Sequence, residues 1–531
     1  MGVPGLFGHY YRKFKKEKEL LNSVYNLTNK VEYLFFDFNS LIHPCAYQIL
    51  EVNDDKYLCI LDEEERTNVI EFYIIQNCIN YTRLIIDIIN PKQVFIMIDG
   101  VAPRSKMNQQ RERRYKSHFF KELEINKSVL WDSNKITPGT EFMEKLTKEL
   151  HLQFPDSTIS DSNEPGEGEH KMMKILSDTT EINGNILIYG LDADLIMLSM
   201  MNKCSDKIIL IRDSEFGDID NISYLNIKQL KDFIFQDFKY KFKYEIKQDF
   251  FGTIDQFIND YILLCFLLGN DFLDHIFCLY IKDNSIDIIT KAYIKAFNGT
   301  SLVNKIGKLE EWINFKFLKD IFYQLKNYEE YYLKQNKNTY PIKGITTEQI
   351  EKYNNDSYSN LYFYHNNLNT NDKNFKTQYN NFYNIQDTSN VCFNYIEGLQ
   401  WVLGYYNGHV HNNWSWYYKY HNVPFCNDIF NYLNKNKNFN SICIKIKSDT
   451  PFNSFNQLCL VLPKYSFKNI ITNTNILNAD RVSGQDNLIL NNNDIFPSKL
   501  YVYLHYKDFL FQSKIIFHDI NENIIDLYKN F

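Results

Sequence analysis

The chain predicts an α/β fold with a mostly parallel central sheet flanked by helices, and three observations carry that expectation. Apolar runs at 31–36, 94–98 and 185–189 have the length and the aromatic or β-branched content of buried strands. Each run leads into acid: Asp37, Asp99, and then Asp192 with Asp194. Between the first two lies a stretch of helical period, Ile70 to Ile89, long enough for the crossover that a parallel pair requires. Strands of such a sheet end at a common edge, so these acids are expected to converge there.

Taken in order, the first run ends at Asp37, and His43 follows six positions later. The second run ends at Asp99. Gly100 and Pro103 then break the structure, and Arg104, Lys106, Arg111, Arg113, Arg114 and Lys116 follow, opposed only by Glu112. Basic runs are most often solvated helix faces. Positive charge placed directly after an acid-tipped strand instead suits a site that holds a cation and an anionic substrate together. Thr137–Met143 reads as a loop entering a helix with Thr140 as its cap, and a short strand is expected near Thr158. Glycines and a proline surround Glu167 and Glu169 ahead of another helix. The third run ends in Asp192 and Asp194, and an apolar helix from Phe257 to Leu268 ends at Gly269-Asn270-Asp271.

Asp37, Asp99, Glu167, Glu169, Asp192, Asp194 and Asp271 make seven carboxylates. Acids brought together repel unless cations lie between them, and hard divalent ions with oxygen ligands answer that need. A pair of such ions, on the order of 4 Å apart, activates water and stabilises the leaving oxygen of a phosphodiester displacement. The basic run favours a polyanionic substrate.

Composition narrows the class. A chain of 531 residues divides into more than one domain, and a net charge of −7 excludes a protein that coats nucleic acid by charge alone. Ten cysteines without a CxxC pair predict neither a zinc site nor a disulfide framework, hence a reducing compartment. The first residues lack the build of a signal peptide, Leu6 breaks a myristoylation motif, and no run is long enough to span a bilayer. A soluble intracellular protein without membrane contact is therefore expected. The abundance of Tyr, Phe, Asn, Ile and Lys reads as A/T-rich coding, and the chain's compactness with that bias is compatible with a viral origin.

Several blocks in series resemble the 5′→3′ exoribonuclease (XRN) family. They are MGVPGLF, FDFNSLIHPC, IDGVAPRSKMNQQRERR, ITPGTEFMEKL, EPGEGEHKMMKIL, IYGLDADLIMLSM, and LLGNDFL with LYIKD. The resemblance is dense over residues 1–300, resumes at Gly398–Tyr406 and Trp414–Tyr418, and is weak at Thr450–Phe452. It implies a PIN/FEN-like nuclease core at 1–326, an Asn/Tyr/Lys-rich variable insertion or loop at 327–386, and a second conserved region at 387–531 packed on the core. It implies that the seven carboxylates are the catalytic set and bind Mg²⁺ or Mn²⁺, two ions. It further implies that Lys106, Gln110, Arg113 and Arg114 form a pocket for an RNA 5′-monophosphate, and that His43 and Trp401 stack the first base. Trp414 and Trp416 read as structural. A monomer working on RNA is expected, and the resemblance is compatible with a decapping partner; no nuclear-import-like basic run is evident, which points to the cytoplasm, and nuclear and virion-associated placements are also compatible. Two departures are local: Asp274 and Lys419 stand where the family usually has proline. The alternatives are a flap-type 5′ DNA nuclease and a non-catalytic RNA-binding scaffold.

Overall fold

The computed structural model describes residues 3, 5–14, 21–23, 31–52, 57, 59–123, 130–190, 192–213, 222–305, 308, 311–335, 343–356, 361–364, 372–408, 413–436, 449–471, 492–504 and 509–517. Strands β1 (Leu21–Ser23), β2 (Val31–Asp37), β3 (Gln93–Met97), β4 (Thr158–Ser160), β5 (Asn185–Tyr189), β6 (Ile208–Asp213) and β7 (Ile222–Asn226) form one sheet, ordered β1-β7-β6-β5-β2-β3-β4. From β4 to β6 every neighbouring pair is parallel, while β7 and β1 close the other edge antiparallel.

The chain leaves β2 toward β3 and β4, then returns to lay β5 and β6 on the opposite side. The order therefore reverses between β2 and β5, and a crevice opens outside the strand ends where such a reversal occurs. Register keeps those ends level, since Phe36 lies beside both Ile96 and Tyr189. The strand ends predicted from the apolar runs are found as expected.

Alternation along each strand sends neighbours to opposite faces. Leu34, Phe36, Ile96 and Leu187 pack with the helices Asn39–Val52, Glu63–Ile89 and Glu141–Gln153. Phe35, Phe95, Ile186 and Ile188 pack in one continuous core with the helices Gly168–Asp178, Asp194–Met201, Ile227–Ile246, Ile254–Cys265 and Thr388–Tyr406. The last of these lies within the segment 387–531 and shares this core. Thr140 caps its helix as predicted, its side chain accepting from the Met143 N–H at 3.4 Å.

The stretch 327–386 differs from a loop. The helix Phe315–Gln335 runs across the boundary expected at 326/327, and the helices Thr347–Asn355 and Phe375–Phe382 follow. Strand β8 (Leu361–Tyr364) joins β9 (Leu500–Tyr503) and β10 (Lys514–Ile516) in a second, three-stranded sheet. Leu361, Phe363, Leu500, Val502 and Ile515 point inward onto Tyr115. The alternation is present in the sequence but submerged in Tyr and Asn. Among the described residues, no helix is long and apolar enough to cross a membrane.

Candidate active site

Each acid is delivered by the end of an element. Asp37 is the last residue of β2, and Asp99 follows β3, its N–H donating to Asn39 Oδ1 at 3.1 Å. Glu167 and Glu169 begin the helix Gly168–Asp178, Asp192 and Asp194 lie between β5 and the helix Asp194–Met201, and Asp271 follows the helix Ile254–Cys265. Two glycines allow the glycine-rich turn to press on the end of β3. A Cβ on Gly100 would meet the Glu164 carbonyl at 1.8 Å, and one on Gly168 would meet the Met97 carbonyl at 2.7 Å. That approach lets the Gly168 N–H donate to Asp99 Oδ1 at 2.7 Å and sets Glu167 beside Asp99.

Mutual repulsion ties all seven acids into one group. Burial, then Asp99 and Asp192, raise the carboxyl of Asp37 well above its usual range. Burial and then Glu167 raise Asp99. Glu169 is raised by burial and then by Asp194 and Glu167. Asp194, only 2% exposed, is pushed up to about 7, mainly by burial, with Asp271 and Asp192 adding to it. Asp192 lies exposed at the mouth. Lys106 opposes this crowd: its Nζ lies 2.6 Å from Glu167 Oε2 and 2.8 Å from Asp271 Oδ2. Burial is the largest influence on both acids and would raise them, but Lys106 together with their other partners lowers both. Burial would likewise lower the Lys106 ammonium, and Asp271 and Glu167 instead hold it well above its usual value.

These donors suit hard divalent cations. Glu167, Glu169 and His170 offer ligand atoms within 4.8 Å of one another. The buried Tyr406 hydroxyl meets no hydrogen-bond partner among the described residues, and Asp194, Glu169 and Asp271 are the acids that act on it. Like charges that raise one another are relieved by a cation between them.

The helix Arg104–Leu123 carries Lys106, Gln110, Arg113 and Arg114 at spacings that share one face. Arg114 is buried and donates to Thr137 Oγ1 at 2.6 Å; burial and then Arg113 lower its guanidinium to about 9. Gln110, also buried, accepts from Gln457 Nε2 at 3.4 Å, and Arg113 is exposed. His43 reaches solvent from the helix Asn39–Val52, yet enclosure within the cleft and then Arg113 and Arg114 lower it to about 4, which leaves it neutral near pH 7. His43, the two arginines and Asp192 are therefore neighbours, and they join the acidic edge to the basic helix.

The basic run is not one patch, however. Arg111, 3% exposed, donates to the carbonyls of Ile495 at 2.8 Å and Asp494 at 3.2 Å, with its guanidinium over Phe517 at 4.5 Å. It fastens the C-terminal part of the chain to the helix. Arg104 is buried against Tyr417, and Lys116 pairs with Glu112 at 3.4 Å.

Trp401 requires a correction. Expected to stack the first base together with His43, it is 2% exposed, with the near-parallel rings of Tyr405 at 5.0 Å and Trp416 at 4.9 Å against it. Its Nε1 donates to the Asn413 carbonyl at 3.1 Å. So enclosed, the indole is not presented to solvent. Tyr405 and His170 were not singled out by sequence, although both sit inside the blocks quoted above: the Tyr405 hydroxyl donates to Glu167, and its ring lies 3.8 Å from that of His170. Both departures from the family pattern are used locally, Asp274 pairing with Lys514 and the Lys419 N–H donating to Asn394 Oδ1 at 2.8 Å.

A second close group, Cys278, Glu329 and Cys426, is buried elsewhere. The Glu329 carboxylate accepts from the N–H groups of Cys426 at 2.8 Å and Asn427 at 3.2 Å, so it serves as a helix cap.

The model of the XRN 5'-3' exonuclease N-terminus matches residues 1–214. That of the Xrn1 helical domain matches 252–384 and 371–485, beginning ahead of the boundary expected at 326/327. The 5'-3' exoribonuclease 1 of Homo sapiens is 28% identical over 89% of this chain and 31% of its own length. That of Saccharomyces cerevisiae is 30% identical over 59% of this chain and 22% of its own, and that of Schizosaccharomyces pombe is 25% identical over 88% and 44%. The chain thus spans less than half the length of these relatives. A crystal structure of the T5 D15 protein with metal ions aligns with 55% of the chain at a TM-score of 0.29 and 9% identity, too little to bear on the fold.

Proposed function

Because the chain belongs to the XRN 5'-3' exonuclease family, we propose that it is a metal-dependent 5′→3′ exoribonuclease. It hydrolyses single-stranded RNA that begins with a 5′-monophosphate and releases nucleoside 5′-monophosphates. The observation that carries the reading is the convergence of the seven acids beside the face of the helix Arg104–Leu123.

Asp37, Asp99, Glu167, Glu169, Asp192, Asp194 and Asp271 are the residues that would hold Mg²⁺ or Mn²⁺, two ions. Bound there, such ions supply a water nucleophile near neutral pH and offset charge on the leaving oxygen. Arg113 and Arg114 receive the terminal phosphate with guanidinium forks, and Gln110 borders the same pocket. Lys106 stands between pocket and acids, and its ammonium serves both the phosphate and the carboxylates. Arg114 and Gln110 are held by Thr137 and Gln457, which supports a preorganised pocket, and on this reading a triphosphate or cap is excluded by bulk. The neutral His43 ring faces the first base, and stacking accepts any base. The protein works as a monomer in the cytoplasm on ends exposed by a decapping reaction.

The test is a choice of substrate. Equal amounts of 5′-monophosphorylated single-stranded RNA and 5′-flapped DNA are offered with Mg²⁺, and the products are sized. The reading predicts RNA lost stepwise to mononucleotides. Preferential cutting of the flap would replace it with a structure-specific DNA nuclease, and binding without any cutting would replace it with a scaffold.

A further inference from the structure

We propose that Tyr405 is a positioning residue of the acidic centre and makes metal holding at Glu167 depend on the second conserved region. This rests on the metal-dependent reading above.

Glu167 stands at the N-cap position of its helix, yet its side chain makes no capping bond there. Its two oxygens are divided between distant parts of the chain. Oε2 faces Lys106 Nζ at 2.6 Å, and Oε1 accepts from the Tyr405 hydroxyl, which lies 238 positions away in the last turn of the helix Thr388–Tyr406. An ionised carboxylate only accepts, so these two donors fix its rotation. Groups in that relation to a metal-binding carboxylate orient it and tune its basicity.

The Tyr405 ring is itself tightly held. It lies 3.8 Å from His170, 5.0 Å from Trp401 at an interplanar angle of 15°, and 5.2 Å from Phe272 at 82°. His170 follows Glu169 and Phe272 follows Asp271. One phenol thus bonds one acid and packs on the chain neighbours of two others. Trp401 acts through it: the indole seats Tyr405, and Tyr405 sets Glu167.

The experiment uses the full chain with Tyr405→Phe, which keeps the ring and removes the hydroxyl. Removing an outer partner of a metal site costs about 10–100-fold in metal affinity or activity. Mn²⁺ titrated calorimetrically without RNA is expected to bind at least about tenfold more weakly. With 5′-monophosphorylated RNA, kcat should fall by a similar factor while KM stays within about twofold. In a Glu167→Gln background the same change should add little, because both substitutions remove one interaction. Trp401→Phe is a second, milder variant, and should lower kcat in the same direction. A base-stacking tryptophan would raise KM instead.

Wild-type Mn²⁺ affinity and kcat in Tyr405→Phe, or a loss confined to KM, would overturn the inference. If the wild type binds Mn²⁺ but does not degrade RNA, the exoribonuclease reading fails alone and the titration still decides the role of Tyr405. If the wild type binds no Mn²⁺, both fall.

Discussion

Asp194 and Asp260 are both buried aspartates, one at the edge of the large sheet and the other among the helices, and their surroundings differ in kind. Asp260 has three donors to itself: the N–H groups of Leu302 at 2.8 Å and Val303 at 2.7 Å, and the Tyr293 hydroxyl at 2.8 Å. Burial still raises it to about 6, but those bonds pull it down. Glu71 likewise pairs with Lys135 at 2.8 Å and Lys145 at 3.0 Å. Asp194 instead shares a cleft with six other acids, and Lys106 is the lysine that pairs within the group. A fold that satisfies its acids singly in one region and crowds them in another is storing charge in the second for a bound cation. Perturbed carboxyls in such a crowd mark function, while singly served ones mark architecture.

The largest expected effect sharpens that contrast directly. Asp192→Ala or Asp194→Ala should reduce RNA cleavage by more than the roughly hundredfold cost of losing an outer partner, with RNA binding retained. Gel-shift and cleavage assays on the same preparation check this, and normal cutting would displace the site. Asp260→Ala should do the reverse. Stranding three buried donors costs on the order of 3 kcal/mol of stability, read by urea melts, with folded protein still cleaving.

A smaller effect is expected at the phosphate pocket. Arg113→Ala should lower the preference for 5′-monophosphate over 5′-hydroxyl RNA by roughly tenfold, the worth of one charge-assisted contact. An unchanged preference would move the pocket elsewhere.

A further test uses pH. Burial raises the Glu329 carboxyl from 4.5 to about 7. Folded protein therefore keeps a proton through a range where the unfolded chain has lost it. That contribution is full below about pH 4.5 and is lost as pH rises through 7, with a ceiling on the order of 3 kcal/mol. Glu329→Gln should flatten the difference in melting between pH 5 and pH 8, and an identical slope in both proteins would refute the assignment.

Much of this was legible in the residues because the strongest signals are local. An apolar run followed by an acid, as at Phe36-Asp37 or Ile98-Asp99, specifies both a buried strand and the chemistry at its end. Spacing along one helix put Lys106, Gln110, Arg113 and Arg114 on a common face. What failed depended on contacts between distant segments. Trp401 is buried because Tyr405 one turn on and Trp416 beyond the helix both pack against it, and only the first of these is foreshadowed by helical spacing. Arg111 looks identical to Arg113 until the carbonyl of Ile495 arrives from 384 positions away. Strand β8 hid because Tyr362 and Tyr364 are its polar-facing positions, and tyrosine is common throughout the chain.

The most direct test of the crowded-acid account is one end-labelled RNA prepared with a 5′-monophosphate, a 5′-hydroxyl or a 5′-triphosphate, each incubated with Mg²⁺ or with chelator. The account predicts rapid loss of the monophosphate form alone to mononucleotides, abolished by chelator. Equal loss of all three forms, or loss that persists in chelator, would contradict it.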